Sequence, residues 1–444
     1  MGAVAEGLIQ VAMPSRMAPP ATAPSADAGL DAWLDYQQQL HARPIELGLD
    51  RVRAVAERLG LLERCPLTLT IAGTNGKGSS STLAALIYQH AGYHVGLYRS
   101  PHLLRYNERI SIDGADVGDD RIVAAFVAIE HARRDVPLTY FEFGTLAALW
   151  CFRQARVDVQ VLEVGLGGRL DAVNIIDADA AVVTNIGLDH QDWLGEGREA
   201  IGREKAGVFR AGRPAIVVDP APPASLIQTA RDLGALLYCV GSDYDFRPVG
   251  LDRWQWSSSS RLYPDLPLPA LPGPAQLRNA AGVIAAVESL QPHRPVPDSA
   301  FHSALPALQL AGRFDRRGRW WFDVAHNAEA AAALAETLQS QIGQDRPWLV
   351  LGMLSDKPVE AVAAALVSSV SGVSFVSLPG PRGLPGASLQ ARAASTGLVG
   401  TAFDTIEAAL DEASAGHPSR PVLVTGSFLT VEVALRYLHQ SGRL

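Results

Sequence analysis

Lys77 sits in GTNGKGS, Gly73–Ser79, and this setting points directly to phosphate chemistry. The β-branched and apolar run Thr68–Ala72 before it reads as a buried strand, and Ser79–Ala91 after it reads as a helix. A strand, a glycine turn and a helix N-terminus form a cradle for anions. Backbone N–H groups of Thr74, Asn75, Gly76, Lys77, Gly78 and Ser79 point outward, the helix dipole favours negative charge, and the lysine adds a cation. The serine cluster supplies N-cap oxygens. The strict P-loop spacing is not met, because Ile71 stands where glycine is required and Gly78 where Ser or Thr should follow the lysine. An ordinary glycine-rich turn is the alternative; the lysine and the strand–helix context favour the cradle.

A triphosphate brings Mg²⁺, which takes oxygen ligands and keeps several waters. Glu163 ends the strand-like run Val157–Glu163, just before GLGGRLDAVN, and is placed to be one ligand. Ser100, in RSPHL after the strand His94–Tyr98, offers a hydroxyl oxygen. His190, in NIGLDHQ, follows another strand, Ala180–Thr184. Each has a plainer reading: a strand-end Glu can serve a helix cap, and a loop His can be a surface hydrogen-bonding group.

The elements that position these residues alternate strand and helix, which predicts an α/β protein with mainly parallel sheets. The segment Asp252–Gly273 reads as a hairpin and loop excursion, and Pro274–Leu290 as a helix. The proline-rich Gln291–Asp298 is the expected linker, dividing residues 28–295 from a smaller α/β unit, 296–444. Residues 1–27, rich in Ala and Pro without a secretory pattern, are expected to be a disordered tail. With 444 residues, 48% of them hydrophobic, the chain can bury large cores. A net charge of −8 gives no support for nucleic-acid binding, and no apolar run reaches a membrane span. Three cysteines without metal spacing, Cys65, Cys151 and Cys239, fit core thiols in a reducing cytoplasm.

Nine motifs in register give a specific match. GTNGKGS (73–79), TYFE (139–142), EVGLGGRLDAVN (163–174), TNIGLDHQDWLG (184–195), REKAGV (203–208), RNAAGV (278–283), GRF (312–314), DVAHN (323–327) and GSFLTV (426–431) together resemble the folylpolyglutamate synthase/dihydrofolate synthase family, relatives of the Mur peptide ligases. The resemblance implies an N-terminal P-loop-type ATPase domain and a smaller C-terminal Rossmann-like domain. It implies that Thr74–Lys77 hold the ATP phosphates, with Asn279, Arg313 and Asp323 as further ATP contacts. Ser100 and Glu163 would bind one Mg²⁺, and His190 would help hold a second. Lys205 matches a lysine carried as a CO₂-derived carbamate, so Lys77, Lys205 and His190 form the expected catalytic set. Ile45, Glu46 and Leu47, then Thr139, Tyr140, Phe141 and Glu142, then Leu170, Asp171 and Ala172, match positions that contact the pterin substrate. His326 shares the DVAHN motif without a defined role. Val173, Ala328 and Leu429 depart from the family pattern, where Thr, Pro and His are frequent.

The implied reaction is ATP-dependent addition of L-glutamate to dihydropteroate and to reduced folates through an acyl phosphate, in a cytoplasmic monomer without nucleic-acid or membrane partners. A polyglutamate synthase alone, a Mur-type peptide ligase, and a nucleotide-binding switch needing no second substrate are the alternatives.

Overall fold

The computed structural model describes residues 22–444 except 42, 44, 64 and 343–345. Of the tail expected over 1–27, residues 1–21 lie outside the described residues. The tail's end is tied down: Trp33 Nε1 donates to the Ser25 carbonyl at 3.3 Å.

Two helices, α1 (Leu30–Leu40) and α2 (Asp50–Arg58), open the first domain. Strand β1 (Leu67–Ala72) leads through the glycine turn into α3 (Lys77–His90). Then come β2 (Val95–Tyr98), β3 (Ile110–Ile112), β4 (Ala115–Asp116), α4 (Asp119–Arg133), α5 (Tyr140–Ala155), β5 (Val159–Glu163) and β6 (Ala180–Val183). The helices α6 (Gln191–Leu194) and α7 (Gly197–Ala206) precede β7 (Pro214–Val217), α8 (Ala224–Asp232) and β8 (Leu236–Cys239). The eight strands form one sheet in the order β4-β3-β2-β5-β1-β6-β7-β8, antiparallel only at β3 and β4. The central strand β1 is buried on both faces. Leu69 and Ile71 share a core with Leu83 of α3, while Ala72 shares another with Phe143 of α5. This is why its sequence is continuously apolar or β-branched rather than alternating. The carboxyl ends of β1, β2, β5 and β6 carry the loops with Gly73, Ser100, Gly165 and Asn185, the edge where open α/β sheets bind ligands.

The helix α3 starts two residues earlier than its sequence predicts, and its serines do not cap it. Gly76 occupies the N-cap in the left-handed region at φ 82°, with no side-chain cap. Ser79 and Ser81 instead turn their hydroxyls to the Gly76 and Gly78 carbonyls. The physical reason is the glycine, which turns the chain unaided and leaves the first N–H groups without side-chain partners. A ligand can therefore use them.

A three-stranded antiparallel sheet follows, β9 (Tyr244–Val249), β10 (Arg253–Ser258) and β11 (Leu262–Pro267), adding one strand to the expected hairpin. Trp254 and Trp256 point from β10 into the core. Helices α9 (Pro274–Ser289) and α10 (Asp298–Ala307) come next. Phe301, Ala304 and Leu305 of α10 are buried with Ile87 of α3 and Ile284 of α9 in one cluster. The proline-rich Gln291–Asp298 therefore joins two helices of one domain. We place the division after Leu308 rather than at 295, since the next core begins at Phe314.

The second domain runs β12 (Asp315–Arg317), β13 (Trp320–Phe322), α11 (Ala328–Ile342), β14 (Trp348–Leu351), α12 (Val359–Leu366), β15 (Gly372–Val376) and α13 (Gly386–Ala393). It ends with β16 (Gly400–Phe403), α14 (Ile406–Gly416), β17 (Val422–Thr425) and α15 (Phe428–Gln440). Its six-stranded sheet has the order β12-β13-β17-β14-β15-β16 and is parallel apart from β12. The pair α13 and β16 is absent from the sequence reading. Glycine and proline interrupt GLPGASLQ, and β16 is a half-exposed edge strand, so neither shows a clear period.

Candidate active site

The strand ends of the first domain face the second domain across a cleft of about 940 Å³. Its walls include the Gly73–Ser79 loop, Ser100, Glu163, His190, Lys205 and Asn279 from the first domain, and Arg313 and Asp323 from the second. The Ile45–Leu47, Thr139–Glu142 and Leu170–Ala172 segments line the same cleft. The catalytic, nucleotide, metal and substrate residues expected from the sequence thus all line one cleft.

The turn is anchored by the loop after β6. Thr74 N donates to the Asn185 carbonyl at 2.9 Å, and Asn75 N to Asn185 Oδ1 at 2.7 Å. Gly73 must be glycine here, because a Cβ would fall 1.8 Å from Thr184 Oγ1. Asn279 of α9 lies against Gly76, where a Cβ would meet its amide nitrogen at 2.5 Å. Lys77 Nζ folds back on the Gly73 and Thr74 carbonyls, at 3.0 and 3.2 Å. Burial lowers its pKa, while the Glu163 charge opposes that fall. A buried ammonium held only by carbonyls is suited to receive phosphate oxygens.

Glu163 is buried, and burial raises its carboxyl above the ordinary range against the pull of Lys77 and Arg313. Ser81 Oγ reaches it only at 3.5 Å. Gly78 leaves room beside it: an added Cβ would sit 3.7 Å from Oε2. Among the described residues, no three His, Cys, Asp or Glu side chains cluster to enclose a metal by themselves. One carboxylate with the Ser100 hydroxyl beside an open cradle fits a hard ion that keeps waters and takes phosphate oxygens.

Lys205, near the end of α7, is buried and donates to the Gly73 carbonyl at 2.9 Å, the same oxygen Lys77 uses. Burial first, then the Lys77 charge, brings its pKa down to about 7. His190 is more open, with a left-handed φ of 54° at the start of α6. Burial of its ring and nearby lysines hold it at about 4, against the pull of Asp189.

The second domain is latched to the first around Asp189. Lys357 Nζ lies 2.7 Å from Asp189 Oδ1, and His326 Nε2 lies 3.5 Å from Oδ2. Burial alone would raise the Asp189 carboxyl. The His326 hydrogen bond and the His190 and Lys357 charges outweigh it and hold the group well below the usual range. Asn75 and Asn327 exchange amide hydrogen bonds at 3.0 and 3.3 Å, and Asn185 Nδ2 donates to Glu329 Oε2 at 2.9 Å. Asp189, Lys357, Asn185 and Asn327 escape the sequence reading as site residues. Lys357 follows the strand β14, as Asp189 follows β6, but only the facing of the two sheets makes them meet. The Arg313 guanidinium lies 5.2 Å from the Phe428 ring centre, its fork unpaired by carboxylate among the described residues. Asp323 uses both oxygens on backbone N–H groups, those of Phe314 and Ala325, at 2.9 and 2.8 Å.

At the other end, Thr139 caps α5 reciprocally with Glu142, whose Oε2 accepts from Thr139 N at 2.7 Å. Arg51 bridges Glu142 at 3.2 Å and Glu46 at 2.6 Å, pinning the Ile45–Leu47 loop against α5. Glu46 and Glu142 therefore shape the wall with their carboxylates already engaged. Asp171 accepts from Leu166 N and Val173 N at 2.8 and 3.1 Å, and burial lifts its carboxyl to about 6. The apolar side chains left on this wall are the half-buried Tyr140, Phe141 and Leu170 and the exposed Ile45, with Ala172 buried beneath. Phe141 packs so close to Gly165 that a Cβ there would lie 2.5 Å from its ring.

Residues 71–232 match the family described as Mur ligase middle domain, and residues 311–428 match Mur ligase, glutamate ligase domain. A dihydrofolate synthase/folylpolyglutamate synthase of Escherichia coli (strain K12) is 44% identical over 412 residues, covering 92% of this chain and 95% of that protein. One from Haemophilus influenzae is 37% identical over 436 residues, covering 91% and 97%. Among solved structures, E. coli FolC in complex with DHPP and ADP has a TM-score of 0.89 at 42% identity, over 94% of this chain and all, 100%, of that one. A bifunctional folylpolyglutamate synthase/dihydrofolate synthase with Mn, AMPPNP and L-glutamate bound has a TM-score of 0.86 at 43% identity, over 94% and 100%.

The two matched domains and the cleft between them define an ATP-dependent ligase of the Mur type. Within that class, the chain belongs to the dihydrofolate synthase/folylpolyglutamate synthase family.

Proposed function

We propose that this cleft joins L-glutamate to dihydropteroate, forming dihydrofolate, and to reduced folates, extending their glutamate chain, with ATP converted to ADP and phosphate. The observation that carries the reading is the gathering of a phosphate loop, a buried carboxylate, an aromatic wall and a second-domain arginine at one cleft. An oxygen of the acceptor carboxylate attacks the γ-phosphorus, and the bond to the β-bridging oxygen breaks, leaving ADP. The glutamate amine then attacks the acyl carbon, loses a proton, and expels phosphate. Lys77 and the free N–H groups at the start of α3 hold the phosphates and offset charge building on the transferring group. Arg313 closes on them from the second domain. The latch at Asp189 keeps the domains together, which excludes water from the acyl phosphate.

Ser100 and Glu163 would hold one Mg²⁺, and His190 would help hold a second. When bound, Mg²⁺ neutralises phosphate charge and orients the transferring group. Lys205 fits as an additional oxygen ligand after taking up CO₂. Its ammonium first gives up one proton, the neutral amine forms the N–C bond with CO₂ and gives up a second, both going to solvent, and an anion then stands beside Lys77 in place of a cation. Tyr140 and Phe141, with Leu170 and Ala172, flank the pterin. Asn279 and Asp323 border the nucleotide, with Asp323 acting by fixing its loop. The enzyme works as a cytoplasmic monomer on small molecules. Its three cysteines are unpaired, and no helix among the described residues is long and apolar enough to cross a membrane.

Purified protein with ATP, Mg²⁺ and glutamate is expected to glutamylate both dihydropteroate and tetrahydrofolate, as read by product mass. Product from tetrahydrofolate alone reduces the enzyme to a polyglutamate synthase, and product from neither refutes the reading.

A further inference from the structure

Arg109 is 8% exposed, yet no carboxylate pairs with it among the described residues. Arg133, enclosed to the same degree at 9% exposed, meets Glu130 at 2.6 Å. Arg109 ends a short helical turn just before β3, and its carbonyl accepts from Arg99 N at 2.9 Å, which sets it beside the loop carrying Ser100. Its guanidinium carbon lies 5.4 Å from the Tyr106 ring centre and 5.4 Å from that of Tyr140. Nε donates to His102 Nδ1 at 2.8 Å. The accepting ring nitrogen carries no proton, so the histidine fixes the guanidinium by a hydrogen bond without neutralising it. The two rings and the histidine hold the guanidinium, whose charge also bears on the buried Tyr98 hydroxyl, and Arg109 lines the cleft. At the same corner the buried Tyr106 hydroxyl has no hydrogen-bond partner. An enclosed guanidinium without a counter-charge is costly unless a ligand supplies one.

The phosphates are not that ligand's first source. The charges of Arg313 on Lys77 and of Arg313 and Arg99 on Glu163 serve the phosphate end, whereas that of Arg109 acts on Tyr98, Tyr106 and Tyr140. Arg109 lines the cleft beside Tyr140 and next to the loop that carries Ser100, so an acceptor whose ring lies on the aromatic wall passes it on the way to the phosphate loop. The two acceptors differ there. Dihydropteroate has one carboxylate, which reacts. A folate carries a second, the α-carboxylate of its terminal glutamate, a few bonds back from the reacting γ-carboxylate.

We propose that Arg109 is the subsite for this non-reacting α-carboxylate, and so sets the preference between a glutamate-bearing acceptor and dihydropteroate. The inference rests on the reading of the reaction given above. The pair is charge-assisted and suited to the two-pronged geometry of a guanidinium and a carboxylate.

The test compares KM and kcat of the wild type, R109Q and R109K for tetrahydrofolate, its α-carboxamide and dihydropteroate. With the wild type, the α-carboxamide is expected to raise KM about tenfold or more over tetrahydrofolate. R109Q should raise KM for tetrahydrofolate at least about tenfold more than KM for dihydropteroate, with no further loss on the α-carboxamide. R109K should recover part of the difference. Wild-type indifference to the α-carboxamide overturns the proposal even if R109Q does not fold, and so does an equal rise in both KM values. Wild-type product from neither acceptor overturns the reaction itself and the subsite with it. Product from both acceptors with unaltered discrimination overturns the subsite alone.

Discussion

Replacing Lys77 by alanine lowers kcat by about 10³-fold, roughly 4 kcal/mol of transition-state stabilisation, while the protein stays folded. The charge sits at the mouth of the helix α3, where three things coincide: N–H groups without side-chain caps, a glycine N-cap, and the buried Glu163 carboxylate. Its ammonium donates to the Gly73 and Thr74 carbonyls, at 3.0 and 3.2 Å. Both carbonyls line the cleft and can turn to water in the variant, so thermal unfolding should shift little. Steady-state phosphate release read beside a melting curve checks this. A folded variant with near-normal turnover contradicts the phosphate-loop assignment.

Lys205→Ala is expected to cost about 10²-fold in turnover, and labelling with ¹³CO₂ is expected to give a carbamate signal in the wild type and none in the variant. The motive is geometric. Lys205 and Lys77 both donate to the Gly73 carbonyl, which brings two buried amines of like charge together at one oxygen. Converting one to an anion relieves the repulsion and supplies an oxygen ligand. The low basicity of the Lys205 amine, at about 7, leaves neutral amine available near neutral pH. Activity should fall in CO₂-depleted buffer and return with bicarbonate. A ¹³C spectrum without a Lys205-dependent carbamate, together with activity independent of CO₂, refutes the modification.

The loop, its strand and its helix are legible in the sequence because glycine, lysine and a buried apolar run are local signals. Glu163 and Ser100 are legible as strand-end residues for the same reason. The latch is not: Asp189 with Lys357, and Asn75 with Asn327, are joined only by the way one parallel sheet faces another. Gln291–Asp298 looks like a boundary by composition, yet Phe301 and Leu305 beyond it complete the first core. Packing decided that, and packing has no local signature. Glu46 and Glu142 resemble ligand contacts by position, but the salt bridges to Arg51 show their charges are used within the protein. Arg109 goes unnoticed in the sequence because its meaning is the lack of a partner.

The central claim is that ATP activates the acceptor carboxylate by phosphorylating it. Tetrahydrofolate with both γ-carboxylate oxygens labelled with ¹⁸O, turned over with ATP and glutamate, tests it most directly. One labelled oxygen should appear in the released phosphate for each amide formed. Phosphate free of label, at full amide yield, contradicts the acyl-phosphate route and the account built on it.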